Sequence, residues 1–226
     1  MDTATKPQQI RLSTTPSRAD LEALKIGDIV YLDGLIYTAR EGVYKKVIEE
    51  GADLPLDLPA ESAVNFHCSP AATVNPDGSF NMGAVTATAS FRFSKWIGPW
   101  IERSGARIII GKGGMTSKDY REHFVPNGAV YLTTVGYGTG ALLGRGIKQV
   151  KAVHWNKELG LAQAMWVIEA ANMGPFIVDG DLAGNSLFER ENARIAANLD
   201  KVYEGTRPAV LRRFGETDDR TDEVIG

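Results

Sequence analysis

The sequence contains very little cysteine, because Cys68 is the only one among its 226 residues. A single thiol cannot form a disulfide within the chain, and it cannot supply three thiolates to a metal cluster. Cys68 also has no clear base partner, so we interpret it as a small buried residue rather than a nucleophile. His67, His123 and His154 lack Cys, Asp or Glu at metal-ligand spacing, and we take all three as structural.

Long apolar runs and basic clusters are missing as well. No apolar stretch approaches the ~20 residues that span a bilayer, and residues 1–10 lack the basic start and apolar core of a secretory signal. Lys and Arg number 25 against 28 Asp and Glu, and they form no run of the kind that binds nucleic acid. We expect a cytoplasmic protein without a membrane or nucleic-acid partner, in which a few cations recognise any anion.

Hydrophobic residues make up 43% of the chain, and their spacing predicts a mixed α/β fold. We predict a mobile lead-in over 1–18, one domain with a mixed sheet and flanking helices over 19–205, and a polar tail over 206–226. Strands are predicted over 28–38, 62–68, 83–89, 107–110, 129–134, 150–155, 164–170 and 176–179. Helices are predicted over 20–26, 41–50, 90–105, 117–124, 139–148 and 186–204, and a turn over 75–78.

Two arginines follow predicted strands. Arg40 comes just after the strand that ends at Thr38, where it either holds a carboxylate through two parallel hydrogen bonds or lies on the surface and opens a helix. Arg92 comes at a predicted helix start, after the small and hydroxylated residues Thr88-Ala-Ser90. Free amides at a helix start favour anions, and the alternative is that Thr88 or Ser90 only caps the helix.

A glycine-rich loop follows the apolar strand Ile108-Ile-Ile110. In Gly111-Lys-Gly-Gly-Met115, the lysine stands between glycines, which let a backbone approach a ligand closely. The loop is not a phosphate-binding P-loop, because the Gly-x-x-x-x-Gly-Lys-Ser/Thr spacing is absent. Lys112 is therefore either an anion-binding cation or an exposed side chain on an ordinary turn.

A second glycine-rich passage, from Gly136 to Gly144, invites a dinucleotide-binding interpretation. Its spacing differs from Gly-x-Gly-x-x-Gly, although Ala141 stands at the last place. The next strand ends Val153-His-Trp-Asn156 without the acidic residue that would hold a ribose. The pattern therefore favours tight packing between a strand and a helix.

Taken in order, these segments resemble the iron-sulfur hydro-lyase family of L(+)-tartrate dehydratase β subunits and class I fumarase C-terminal domains. The resemblance spans about residues 26–188, and it depends on the order of the motifs rather than on any one of them. The motifs are Gly27-Asp-Ile-Val-Tyr31, Thr38-Ala-Arg-Glu41, Thr88-Ala-Ser-Phe-Arg92, Gly111-Lys-Gly-Gly-Met115, Val153-His-Trp155, Leu159-Gly160, Gly174-Pro-Phe-Ile-Val178 and Gly184-Asn185. The glycine loop and Val-His-Trp are closer to the tartrate dehydratase subunits.

The resemblance implies a swivelling β/β/α domain that closes over a 4Fe-4S cluster. Three cysteines of a separate α subunit would hold this cluster, and the assembly would be a hetero-oligomer or contain a β–β dimer. The implied reaction is reversible removal of water from a 2-hydroxy dicarboxylate, such as L-tartrate to oxaloacetate or malate to fumarate. This division of labour agrees with the single cysteine of the chain.

The resemblance also implies roles for individual residues. The carboxylates of the substrate would be bound by Arg40, Arg92 and Lys112, with Gly111 and Gly113 beside the lysine. Thr88 would be the base that removes a proton from carbon. A threonine hydroxyl is a poor base, so this role requires Arg92, the cluster or a helix terminus to stabilise the alkoxide.

The chain departs from the family at two motifs. The family usually has Arg-Asp-x-x-His where this chain has Arg40-Glu-Gly-Val-Tyr44, and Gly-Pro-Thr-Thr-x-x-Arg-Met-Asp/Glu where it has Thr86-Ala-Thr-Ala-Ser-Phe-Arg-Phe-Ser94. The substrate is therefore left open between tartrate, malate or fumarate and a larger hydroxy acid. The alternatives are a binding or regulatory module that kept the fold without catalysis, and a dinucleotide-binding protein that uses Gly136 to Gly140.

Overall fold

The computed structural model describes residues 6–136 and 138–204, and within these ranges the chain forms nine strands and eight helices. The strands are β1 Gln9–Ser13, β2 Ile29–Thr38, β3 Val64–Phe66, β4 Cys68–Val74, β5 Phe80–Ala87, β6 Ile108–Gly111, β7 Val130–Thr134, β8 Ile147–His154 and β9 Met165–Gly180. The helices are α1 Arg18–Ala23, α2 Glu41–Tyr44, α3 Leu58–Glu61, α4 Ser94–Ser104, α5 Ser117–Asp119, α6 Gly140–Gly144, α7 Asn156–Leu159 and α8 Leu187–Tyr203.

Three of these helices have continuations of another helical type. Helix α2 continues as a π-helical turn over Lys45–Glu49, α5 continues likewise over Tyr120–Phe124, and a 3-10 turn over Ser90–Phe93 leads into α4. The chain divides into two compact units, Met1–Arg190 and Glu191–Gly226, and the nine strands lie in the first. No helix of the described residues is long and apolar enough to cross a membrane.

Seven of the strands form one sheet that closes on itself. Their order is β1-β2-β3-β6-β7-β9-β8, and β2 also pairs with β9, so β2, β3, β6, β7 and β9 form a barrel-like ring. Strands β2, β3, β6 and β7 are parallel to their neighbours in this series, whereas β9 runs antiparallel to β2 and β7. The carboxyl ends of the four parallel strands therefore lie at one edge, which we call the carboxyl edge.

Alternate strand residues face two hydrophobic cores, as the two-residue period of a strand requires. In β6, Ile108 and Ile110 belong to the first core and Ile109 to the second. The first core takes residues from all five strands of the ring, so it fills the inside of the ring. The second core joins the outer face to helices, among them α4, where Trp100 and Ile101 are fully buried.

A hairpin extends from the carboxyl edge. Strand β4 begins at Cys68, just after β3 ends, and β5 returns antiparallel so that Ala87 lies opposite Cys68. The turn falls at the predicted place, where the Gly78 amide donates to the Asn75 carbonyl at 2.9 Å and Gly78 has a φ of 83°. The residues after β5 are thereby returned to the end of β3.

The mixed α/β class is confirmed, but the short helices α3 and α7 were not predicted and three other elements differ from the prediction. Within the predicted lead-in over 1–18, Gln9–Ser13 form β1, which pairs in parallel with β2 and buries Leu12. The two predicted strands over 164–170 and 176–179 are one continuous strand, β9. The predicted helix over 139–148 is shorter, because β8 already begins at Ile147. The tail over 206–226 lies outside the described residues, and the domain boundaries stay a prediction.

Candidate functional site

Three strands of the ring end at the carboxyl edge, and each is followed by a side chain that can be charged or can form polar contacts. Arg40 lies just beyond β2, His67 directly follows β3, and Lys112 directly follows β6. In α/β sheets, ligands commonly bind outside the carboxyl ends of parallel strands. Arg40 and Lys112, which the sequence predicts as anion-binding residues, therefore lie at the same edge.

Thr88 reaches this edge through the hairpin and is held there by its main chain. Its amide donates to the His67 carbonyl at 2.6 Å, and its carbonyl accepts from the Lys112 amide at 3.1 Å. The Ser90 amide in turn donates to the Lys112 carbonyl at 3.2 Å. The segment from Thr88 to Arg92 is thus bonded to the ends of both β3 and β6, and only 6% of Thr88 is exposed.

The Arg40 guanidinium lies at this edge within the electrostatic influence of Arg92. Arg40 is half-buried, its Nη1 donates to the Ala162 carbonyl at 2.8 Å, and its buried Nε has no hydrogen-bond partner among the described residues. Burial lowers the pKa of Arg40, and the nearby Arg92 guanidinium lowers it further. A buried N–H without an acceptor is costly. The pair is therefore a candidate site for an anion.

Arg92 itself is exposed and only loosely held. Its guanidinium carbon lies 5.7 Å from the centre of the Phe93 ring, and its Nε is 3.5 Å from the Ala89 carbonyl oxygen. Glu41 is the acidic residue next to Arg40, but Lys45 Nζ lies 2.6 Å from its Oε1. Positive charge therefore dominates this part of the edge.

Packing explains the glycine before Lys112. A Cβ atom on Gly111 would lie 1.9 Å from Ser90 Oγ and 2.7 Å from the Tyr131 hydroxyl, so no larger residue fits without a shift. Gly113 has a φ of 76° and open space around it, which permits close approach of a ligand. Packing accounts for Gly111, and a ligand-binding role for Gly111 and Gly113 stays a prediction.

Lys112 borders two cavities. The smaller measures about 300 Å³ and lies between β5 and the 136–143 segment, while the larger measures about 590 Å³. The larger cavity is lined by Ala89, Lys112, Gly113, Thr133, Thr134, Val135, Gly136, Ile177, Leu187 and Phe188. Space for a small ligand therefore exists on both sides of the lysine.

A buried hydrogen-bond chain below the edge was not predicted from the sequence. The His67 ring joins the Tyr44 hydroxyl, 2.5 Å from Nε2, to Ser90 Oγ, 2.7 Å from Nδ1. Burial lowers the pKa of His67 to about 3, and Arg40 contributes to the lowering. His67 is thus neutral at ordinary pH, and its ring contacts the segment that carries Thr88. The one sequence feature that could have indicated this hydrogen-bond chain is the position of His67 near the end of a predicted strand.

The described residues offer no set of side chains suited to holding a cluster. Cys68 is buried, and burial raises the pKa of its thiol, which disfavours the thiolate that binds metal. Within residues 6–136 and 138–204, no three His, Cys, Asp or Glu side chains converge as metal ligands. No step of chemistry is therefore assigned to a metal group held by these residues.

Helix α6, at the end of the second glycine-rich passage, packs on strand β5 of the hairpin. A Cβ atom on Gly140 would lie 2.7 Å from the Val85 carbonyl oxygen, and one on Gly144 would lie 2.2 Å from the Gly83 carbonyl oxygen. Helix α6 spans only Gly140–Gly144, which is short for a helix that holds a pyrophosphate. Close backbone packing therefore accounts for these two glycines without a dinucleotide.

Known proteins match nearly the whole chain. Residues 1–191 match the family model described as Fumarase C-terminus. The putative L(+)-tartrate dehydratase subunit beta of Methanocaldococcus jannaschii is 36% identical over 189 residues, which cover 82% of this chain and 94% of that protein. The L(+)-tartrate dehydratase subunit beta of Escherichia coli K12 is 29% identical over 197 residues, covering 86% and 94%. The putative class I fumarate hydratase of Geobacillus stearothermophilus is 31% identical over 183 residues, covering 80% of this chain but 34% of that protein.

Proposed function

Because the chain belongs to the Fumarase C-terminus family, we propose that it is the β subunit of a two-subunit hydro-lyase. The reaction is the reversible dehydration of a 2-hydroxy dicarboxylate, with L-tartrate as the first candidate and malate or fumarate as the second. The names of its relatives support the reaction class and the presence of a partner subunit. The observation that carries the proposal is Arg40, a half-buried guanidinium whose buried Nε–H has no partner among the described residues and whose pKa is lowered by burial and by the positive charge of Arg92.

In this proposal the cations bind and orient the substrate. Arg40 and Arg92 hold one carboxylate, since a guanidinium forms two parallel N–H···O bonds to such a group. Lys112 holds the other carboxylate from the glycine loop, where Gly111 and Gly113 give the backbone room for a close approach. Fixed cations also stabilise the charge that spreads into a carboxylate when the neighbouring C–H bond breaks.

Thr88 is the proposed base. In the dehydration the Thr88 alkoxide takes the proton from carbon, the C–H electron pair forms the new C=C bond, and the C–O bond on the neighbouring carbon breaks so that the hydroxyl leaves as hydroxide. The hydroxide then takes the proton from Thr88 Oγ1, which gives water and restores the alkoxide. Threonine accepts a proton only as an alkoxide, so its site has to stabilise negative charge. The positive charge of Arg40 and Arg92 at the same edge supports this requirement.

The cluster of this enzyme class is assigned to the partner. A separate α subunit would carry the 4Fe-4S cluster, and the present chain would close over it as a swivelling domain in a hetero-oligomer or through a β–β dimer. The single, buried Cys68 supports this division. The proposal places the working enzyme in the cytoplasm.

The experiment is anaerobic co-expression with the neighbouring large subunit, followed by a screen of hydroxy dicarboxylates. Turnover of L-tartrate or malate by the pair, and by neither subunit alone, supports the proposal. Saturable binding without turnover supports the binding or regulatory module instead. If the isolated chain is brown and contains stoichiometric iron, the division between subunits is wrong.

A further inference from the structure

A fully buried polar chain crosses the aromatic core beneath the carboxyl edge. Asn65 Nδ2 donates to the Tyr44 hydroxyl at 2.7 Å, Tyr44 meets His67, His67 meets Ser90, and the Tyr131 hydroxyl donates to Ser90 Oγ at 2.8 Å. All five residues are inaccessible to solvent. Burying so many polar groups is costly unless they are hydrogen-bonded to one another. A buried network of this kind makes the surrounding core rigid and specifies one arrangement of it.

The bonding pattern gives the chain a direction. The Tyr44 hydroxyl accepts a bond from Asn65, so its own proton is available for His67 Nε2. Of the two neutral tautomers of the imidazole, this direction selects the one with its proton on Nδ1, which can donate to Ser90 Oγ 2.7 Å away. Arg40 is the charged group near the ring, and Tyr44 and Tyr131 are neutral because burial raises the pKa of each.

Ser90 connects this chain to the groups at the edge. It lies between Thr88 and Arg92, and its amide donates to the Lys112 carbonyl at 3.2 Å. Its Oγ occupies the space that Gly111 leaves by having no side chain. Ser90 is therefore linked to the proposed base and to two of the proposed cations, through the main chain to Thr88 and Arg92 and through a hydrogen bond to Lys112.

We propose that His67 is a positioning residue, which holds Ser90 through Nδ1–H and thereby sets the placement of Thr88, Arg92 and Lys112. The inference rests on the proposed function, because those three groups are the proposed catalytic and binding groups. Small displacements of such groups reduce turnover strongly, by as much as about 100-fold for 1 Å. His67 itself does not touch the substrate.

Two amide variants separate the two ring nitrogens. An asparagine side chain carries its amide at about the position of Nδ1, whereas glutamine reaches the position of Nε2. In the assembled two-subunit enzyme, His67→Asn should keep kcat within about 3-fold, and His67→Gln should lower kcat by about 10-fold or more with a smaller change in KM. Ser90→Ala should resemble His67→Gln and add little to it, since both remove the same bond.

Tyr44→Phe is the matched control. It removes the hydroxyl on the other side of the ring, so it should lower the melting temperature as His67→Gln does while keeping kcat. The inference is overturned if kcat falls in proportion to the lost stability in all three variants, His67→Asn, His67→Gln and Tyr44→Phe. His67 would then be a purely structural residue. Full kcat in His67→Gln would overturn the inference as well.

A spectroscopic measurement on the full chain separates this inference from the proposed function. Nitrogen-15 NMR at neutral pH should give His67 the signature of the neutral Nδ1–H form, assigned by its loss in His67→Asn. A neutral Nε2–H form or a charged ring would overturn the inference, whatever the enzyme turns over. If the NMR result is as expected but the assembled enzyme dehydrates no hydroxy dicarboxylate, the proposed function is wrong. The role of His67 in catalysis is then wrong as well, and only the direction of its hydrogen bonds is confirmed.

Discussion

Two charged regions along strand β2 are built in opposite ways. Midway along the strand, Asp33 accepts hydrogen bonds from Arg11, whose Nη2 lies 2.7 Å from Oδ1, and from the Asn172 amide at 2.9 Å. Beyond the end of the strand, Arg40 lies half-buried near the like charge of Arg92. The first region is neutralised within the fold. In the second, Arg40 has a hydrogen bond to the Ala162 carbonyl but no ion pair among the described residues, and perturbed groups of this kind concentrate at functional sites.

The second region also differs in what lies beneath it. Thr88 and Ser90 are bonded to the ends of β3 and β6, and the buried chain through His67 supports them from below. Arg11 and Asp33, in contrast, are partly exposed, and the ion pair lies on the surface. A functional group acts best when its position is fixed, and at the carboxyl edge this holds for the main chain of Thr88 and Ser90, whereas the Arg92 side chain is exposed.

The largest effect should come from Thr88→Val, which keeps the shape and the main-chain bonds but removes the hydroxyl. A positioned base contributes about 100-fold or more to the rate, so kcat of the assembled enzyme should fall by that factor. Substrate binding should change by less than about 3-fold, because the lost group acts in the transition state. Thr86→Val, the same change at an exposed position of β5, should keep turnover. Full turnover in Thr88→Val would show that the base is another group.

A smaller effect should follow the removal of single cations. Arg40→Met or Lys112→Met removes a charge-assisted hydrogen bond of ~1.5–3 kcal/mol, so kcat/KM should fall by at least ~10-fold. The free energy of unfolding should hardly change. Arg11→Met is the matched control, because it removes an arginine that the fold already neutralises, and it should leave kcat/KM unchanged. If all three variants behave alike in steady-state kinetics, the difference between the two regions has no functional meaning.

Glycine substitutions test how tightly the edge is packed. Gly111→Ala puts a methyl group 1.9 Å from Ser90 Oγ, and overpacking of this kind costs ~1–3 kcal/mol. The free energy of unfolding in urea should fall by that amount, and kcat should fall because Ser90 moves. Gly83→Ala on the hairpin meets no atom within 4 Å and is the control, with little change in either quantity. Unchanged stability in Gly111→Ala would mean that the edge relaxes freely.

Local sequence patterns predicted much of the fold. The apolar spacing of Trp96, Ile97, Trp100 and Ile101 predicted α4, and all four are buried. Gly105 ends that helix with a φ of 68°. The closure of the sheet was not predictable in this way, because it pairs Ile29 with Ile177, and no local pattern reports a contact between residues so far apart. Strand β1 was missed because its residues are mostly polar and exposed.

For the candidate site, too, the local features were predictable and the long-range contacts were not. Arg40 and Lys112 were found because both follow strands, and the carboxyl ends of parallel strands share one edge. The contacts of His67 were not found, because its ring meets Ser90 across 23 positions of the chain, and Ser90 meets Tyr131 across 41. The functional roles of Arg40, Thr88, Arg92 and Lys112 stay predictions, which the variants above test.

The smallest effect concerns the neutralised region and its pH dependence. The hydrogen bonds from Arg11 lower the pKa of Asp33 from 3.8 to about 2. A carboxyl group whose pKa is lower in the folded state stabilises the fold above its unfolded pKa, and this contribution is lost as the pH falls towards the folded pKa. Wild type and Arg11→Met should therefore differ in unfolding free energy above pH about 4 and converge towards pH about 2. The difference should be small, because exposed ion pairs contribute at most about 1 kcal/mol, and 1 M salt should reduce it further.

Urea titrations at several pH values measure this difference, and Asp33→Asn should behave as Arg11→Met does. A difference that persists at pH 2 would mean that Arg11 stabilises the strand by packing, and the contrast with Arg40 would then be one of packing rather than of charge.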